Sequence, residues 1–178
     1  MNDLSAWPTG TRVEFGISRS AVSHQADSHV TAPFIQHVKD GLRTPRFLLS
    51  GNVRLTVEWW ASEQERYEKD RSPDIDNILK PLIDSLRGPE GLIIDDNQIQ
   101  TVTCSWRDSQ TQAQRLDVLL QFDEGEWVPK EKLVFVRFQK GLCLPIPGNE
   151  SKQHRLKRFH TYSARFAARK HIVEAGLP

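Results

Sequence analysis

The sequence predicts an α+β fold, with strand-like and helix-like segments interleaved along one short chain and a further strand and a basic helix at its C-terminus. Three observations carry that reading. Several segments alternate apolar and polar residues with period two, and two central segments repeat apolar residues at helical spacing. A length of 178 residues, 38% hydrophobic and 26% charged, suits one domain, or one domain with an appendage.

In chain order, residues 11–19 (TRVEFGISR) place Val13, Phe15 and Ile17 on one face and read as a strand. Residues 20–28 are polar and loop-like. Residues 31–42 set Phe34, Ile35, Val38 and Leu42 at helical spacing, with Thr31 as the expected N-cap and Gly41 near the end. Residues 52–61 alternate Val53, Leu55, Val57 and Trp59 as another strand, and the charged stretch 62–72 is expected to be a loop. Residues 78–86 predict a short helix with Ile78, Leu79, Leu82, Ile83 and Leu86 on its apolar face. Gly88-Pro89 ends that helix, and Pro81 is expected to bend it and limit how far upstream it starts. Residues 91–94 read as a short strand, and 99–106 and 115–122 as an antiparallel pair around a polar loop. Residues 133–139 form a further strand, 144–149 a Pro/Gly linker and 151–175 a basic helix. The expected division is a core over 1–124 and a basic extension over 125–178.

Composition excludes several classes. No window approaches 18 consecutive apolar residues, so no membrane span is expected. The start MNDLSAWPTG lacks a basic segment followed by an apolar run, which speaks against a secretory signal. Cys104 and Cys143 form no CxxC and no disulfide framework, so a cytoplasmic location is expected. A net charge of +1, taken alone, disfavours a nucleic-acid partner. The sum hides its distribution: residues 1–125 hold 13 Lys+Arg against 19 Asp+Glu, and residues 126–178 hold 11 against 4. An acidic body therefore carries a basic tail, a pattern suited to polyanions.

The chemistry lies in the centre. Pro73-Asp74-Ile75-Asp76-Asn77-Ile78-Leu79-Lys80 is followed by Gly91-Leu92-Ile93-Ile94-Asp95-Asp96-Asn97-Gln98-Ile99. In an extended segment Asp74 and Asp76 would share a face about 7 Å apart. On a helix that starts early, Asp76, Lys80 and Asp84 would share one face instead. Asp95 and Asp96, at the exit of a strand, could meet the first pair. Each piece alone also reads as a helix cap or a turn. Clustered carboxylates repel unless protonated or bound to a cation, and an all-oxygen set suits Mg²⁺ or Mn²⁺. Such a site activates water against a phosphodiester, and a nearby lysine stabilises the developing charge. A calcium loop is disfavoured, because DIDNILKPLIDS has Ile78 where that loop needs Asp or Asn and lacks its glycine and final Glu.

These residues resemble the RusA-type Holliday-junction resolvases, whose pattern is D-x-D-N-x-x-K, then D-x-L, then G-x-x-x-D-D-x-Q-hydrophobic. Asp74 to Lys80, Asp84-Ser85-Leu86 and Gly91 to Ile99 meet every fixed position. The motif covers 73–99, and the resemblance extends over 11–124. It implies a small mixed β-sheet packed with two helices. It further implies a homodimeric, Mg²⁺-dependent endonuclease that hydrolyses phosphodiesters in branched DNA such as four-way junctions, in recombination and repair. By the same resemblance Asp74, Asp76 and Asp96 are the metal-binding and catalytic carboxylates, Asp95 is a further metal candidate and Lys80 is the essential lysine. Residues 125–178 have no counterpart in that pattern. The basic run before the first Asp is diluted here to ERYEKDR, leaving Lys69 and Arg71 as candidate DNA contacts.

In the tail, Arg155, Arg158, Arg165 and Arg169 fall on one helical face with Tyr162 among them, beside Leu156, Phe159 and Phe166. The expectation is a helix that docks by its apolar side and offers arginines to DNA phosphates. A solvated helix or a dimerisation element is the alternative. Of the adjacent Trp59 and Trp60, one is expected in the core and the other at a surface. Two other functions stay open at this point: a branched-DNA-binding module without efficient turnover, and a small acidic metal-binding interaction domain.

Overall fold

The computed structural model of the chain describes residue 4 and residues 7–42, 45–67, 73–110, 113–137 and 143–161. The elements run β1 (Arg12–Ile17), α1 (Ser28–Gly41), β2 (Phe47–Leu49), β3 (Val53–Ala61), α2 (Glu63–Tyr67), α3 (Ile75–Leu86), β4 (Ile99–Asp108), β5 (Arg115–Phe122), β6 (Trp127–Pro129), β7 (Leu133–Arg137) and β8 (Cys143–Pro147). Residues 152–161 are helical.

Period-two alternation sets the layers. In β3, Val53, Leu55, Val57, Trp59 and Ala61 are all buried on one face. The same face of the sheet receives Val13, Phe15 and Ile17 from β1 and Leu116, Val118, Leu120 and Phe122 from β5. Helices α1 and α3 pack on each other and close this core with Phe34, Val38 and Leu42 and with Ile78, Leu82 and Leu86. The opposite face carries polar pairs. Arg107 meets Glu58 at 2.7 Å, Arg115 meets Asp117 at 3.1 Å, and the Arg115 guanidinium lies 4.6 Å over the half-buried Trp60 ring. Trp59 is the core tryptophan, as expected.

The main sheet is mixed, in the order β1-β5-β3-β4. Here the expected hairpin is corrected. β4 and β5 do not pair; they flank β3, with β4 parallel to it and β5 antiparallel. A parallel neighbour needs a long crossover, and residues 62–98 supply one. That crossover holds the whole carboxylate motif.

Other expectations shift with identifiable causes. α1 begins at Ser28 with Asp27 at its N-cap, not at Thr31. The charged stretch after β3 contains α2, whose Tyr67 ring meets Trp106 edge-on at 6.0 Å. Residues 91–94 make only isolated bridges, Ile93 to Leu49 and to Arg87, and form no strand. Residues 143–147 pair with β7 as β8, overlapping the stretch 144–149 that was expected to be a linker. A two-stranded ribbon of β2 and β6 was not anticipated.

α3 starts at Ile75, a turn before the expected position, and Pro81 lies inside it. A proline lacks the N–H that the carbonyl four residues earlier would receive. That carbonyl belongs to Asn77, and the backbone N–H of His24 donates to it at 2.9 Å. The defect that should have shortened the helix is thus repaired by the loop before α1.

Candidate active site

The first acidic pair sits at the start of α3. Asp74 is its N-cap residue, with an extended backbone and a carbonyl that accepts from the N–H groups of Asn77 and Ile78. The extended arrangement that would set Asp74 and Asp76 on one strand face is replaced by this helix start. The Asp74 side chain makes no capping hydrogen bond. Asp76 lies in the first turn, and both residues are exposed. Among the described residues neither carboxylate has a hydrogen-bond or ion-pair partner. The positive end of the helix dipole favours negative charge at this position.

The second pair sits at the other end of α3. Lys80 Nζ lies 2.9 Å from Asp84 Oδ1 and 3.8 Å from Asp96 Oδ2. Arg87, the C-cap residue, places Nη2 3.5 Å from the same Asp84 oxygen and Nη1 3.4 Å from the same Asp96 oxygen. Two acids and two bases therefore alternate around a partly exposed square. Positions 76, 80 and 84 share the helix face as the spacing allows, and 87 continues it.

Asp96 reaches this square because the 87–98 segment is tightly built. Gly88 adopts φ +86°, open to a residue without Cβ. The N–H groups of Leu92 and Ile93 both donate to the Leu86 carbonyl, at 2.6 and 3.0 Å. A Cβ on Gly91 would come within 1.9 Å of that oxygen, so only glycine fits there. Gln98 then fastens the loop. Its Oε1 accepts from the N–H groups of Ile94 and Asp95, at 2.6 and 3.1 Å, and its Nε2 donates to the carbonyls of Leu49 and Gly51, at 3.0 and 2.6 Å. Asp95 caps the 3-10 turn that follows, accepting from Asn97 N at 3.2 Å and Asn97 Nδ2 at 2.7 Å.

The structure brings Lys80 and Asp96 together as expected, and adds Asp84 and Arg87, which were not among the candidate site residues. The i, i+4, i+7 spacing of Lys80, Asp84 and Arg87 was the available signal. Along α3, Asp76 precedes Lys80 by one turn and Asp84 by about 12 Å of rise. Among the described residues no three His, Cys, Asp or Glu side chains are gathered closely enough to hold a metal ion.

The sequence matches the family described as Endodeoxyribonuclease RusA over residues 19–121, more than half of the chain. The chain belongs to the RusA endodeoxyribonuclease family. Membership implies Holliday-junction endonuclease activity, and RusA nucleases are in general dependent on a divalent metal. The match contains both acidic pairs, Lys80 and Arg87. No curated protein matches the chain.

The donors fit a hard divalent cation. Mg²⁺ takes one or two protein carboxylates and fills the rest of its shell with water and substrate phosphate. Asp74 and Asp76 present that number of acceptor-only groups, exposed and without a partner among the described residues. Lys69, Arg71, Arg165 and Arg169, expected at the DNA interface, lie outside the described residues. Arg155 and Arg158 lie on the described helix, where Arg158 grips Glu150 through Nε at 3.0 Å and Nη2 at 2.6 Å. The expected docking of that helix is not observed: Leu156 and Phe159 stay 47% and 38% exposed. No helix among the described residues is long and apolar enough to cross a membrane.

Proposed function

We propose that the chain is a Mg²⁺-dependent, structure-selective endonuclease that cuts four-way junctions or related branched DNA by phosphodiester hydrolysis. The observation that supports this most is helix α3, with the exposed Asp74 and Asp76 at its start and Lys80 further along, 2.9 Å from Asp84 and 3.8 Å from Asp96 of the following loop. Asp74 and Asp76 would hold the ion, with Asp96 as the further carboxylate of the set. Bound there, Mg²⁺ (or Mn²⁺ in its place) would supply Lewis-acid activation of water and neutralise charge on the phosphate. Lys80 offers a cation to the same phosphate, and Arg87, 3.4 Å from Asp96, keeps it oriented when Lys80 turns toward substrate.

Symmetric cutting of a junction calls for two sites related by a two-fold axis, hence a homodimer. The outer edge of β4 supports such pairing. Among the described residues it is unpaired, carries no charge from Ile99 to Trp106, and leaves Val102 41% exposed. Antiparallel self-pairing there would set no like charges opposite each other within that run.

The basic tail would add phosphate contacts. Deleting residues 151–178 should weaken junction binding and flatten its salt dependence, because each lost phosphate contact removes released counterions. An unchanged affinity and salt slope would remove the tail from the interface.

The decisive experiment is nicking of a synthetic four-way junction with Mg²⁺. Paired symmetric nicks that disappear in Asp74→Asn are expected. Tight junction binding without any nicking by the wild type would mark a binding module instead.

A further inference from the structure

The loop that carries Asp96 is held from outside the family match. β2 receives the loop through Leu49 N, which donates to Leu92 O at 2.8 Å, and through the two Gln98 bonds. β2 in turn forms a two-stranded ribbon with β6, in the register Phe47–Pro129, Leu48–Val128 and Leu49–Trp127. The next residue is Lys130. Its backbone N–H donates to Arg46 O at 2.7 Å, which extends the ribbon by one step. Its side chain turns toward the loop, and Nζ donates to Gly91 O at 2.7 Å. Neighbouring Glu90 faces both Lys130 and Lys39 of α1, whose Nζ is 4.0 Å away.

We propose that Lys130 is a positioning residue for the loop that carries Asp96. Gly91 lies in the turn that follows α3, where its backbone packs closely on the Leu86 carbonyl. The 91–92 peptide is held on both sides: its N–H donates to the Leu86 carbonyl at 2.6 Å, and its carbonyl accepts from the Lys130 ammonium at 2.7 Å, which opposes rotation of the peptide. A rotation there would carry Asp96 away from Lys80 and Arg87. Most of the lysine is buried, and burial pushes its pKa down to about 8 from 10.5, as expected for an amine held in place by packing rather than by water. The C-terminal segment thereby takes part in the site without touching the reacting atoms.

The consequence for cutting rests on the nuclease reading above, but the consequence for the loop does not, so two readouts separate them. In full-length Lys130→Met, amide exchange over residues 91–96 should rise while the β3 and β5 amides keep wild-type protection. Single-turnover nicking should fall roughly tenfold with junction affinity unchanged, as for a misplaced catalytic group. Lys130→Arg should recover part of both, since it keeps a charged donor. Wild-type exchange over 91–96 in Lys130→Met overturns the proposal, and so does an equal rise throughout the sheet, which would mark a general loss of stability. Should Lys130→Met fail to fold, Lys130→Gln carries the same two arms with a polar, shorter side chain. If the wild type cuts no junction, the nuclease reading fails and the exchange arm still decides the clamp.

Discussion

The two ends of α3 carry the same chemical group in opposite states. At the N-terminal end Asp74 and Asp76 are exposed, have no partner among the described residues and lie at the positive end of the helix dipole. At the C-terminal end Asp84 and Asp96 share two cations within 4 Å. Among the described residues the first, open pair has no cation beside it, whereas the second, closed pair has two. Along α3, helical rise sets Asp76 and Asp84 about 12 Å apart.

Neutralising the open pair should have the largest effect on activity and almost none on folding. Asp74→Asn or Asp76→Asn should lower Mg²⁺-dependent nicking by about three orders of magnitude, the scale of the several kcal/mol that a metal-activated water supplies. Thermal unfolding should change by no more than about 0.5 kcal/mol, the scale of an exposed substitution. Asp96→Asn should separate the ends. It should abolish nicking comparably but also lower stability by about 1 kcal/mol, because Lys80 and Arg87 lose a partner. Equal stability of the Asp74 and Asp96 variants would erase the distinction.

Gln98 shows what supports the closed pair. Gln98→Ala would leave two backbone donors and two carbonyls without their partner. A loss of about 2–3 kcal/mol in chemical denaturation is expected, as for partly buried polar groups left unsatisfied. Nicking should fall with it, because the loop delivers Asp96. Stability within a few tenths of wild type would mean that water replaces the amide.

These features were unevenly legible. The acidic motif, Lys80 and the apolar stripe of α3 could be read directly, since spacing alone sets a helical face. The core strands could also be read, because Val53 to Ala61 alternate without interruption. The neighbours of β3 could not. Apolar alternation fits a strand equally beside or across a partner, and only the length of the 62–98 crossover hinted at a parallel pair. The helix start was obscured by Pro81, whose missing donor is replaced by a loop about fifty residues upstream in sequence. The Lys130 clamp gave no local signal, because a lysine in a basic tail looks solvated until the fold buries it.

Alkaline pH offers a gentler probe of the loop end. The folded-state pKa of Lys130 is lowered to about 8, so the unfolded chain holds that proton more tightly. The burial penalty is complete below about pH 8 and is relieved as pH rises toward 10.5, so this group makes stability increase across that window. Burial raises the Cys104 thiol from 9.0 to about 11, which lowers stability as pH rises over 9–11. Subtracting the Lys130→Met curve from the wild-type curve cancels the cysteine. The difference should rise from pH 8 upward, and a flat difference would place the amine in water.

The smallest effect concerns the contact that joins the middle of α3 to its closed end. Lys80 and Asp84 are four residues apart, 2.9 Å between charged atoms, with side chains 53% and 26% exposed. Their order, base before acid, is the weaker orientation on a helix, and exposure screens it. A double-mutant cycle with Lys80→Met and Asp84→Asn should give a coupling of only about 0.3–0.5 kcal/mol. That small value is what the proposed role requires, since Lys80 must leave Asp84 to meet a phosphate at little cost. A coupling several-fold larger would instead make Lys80 a structural member of the closed pair, and the open and closed ends of α3 would no longer share a mobile cation between them.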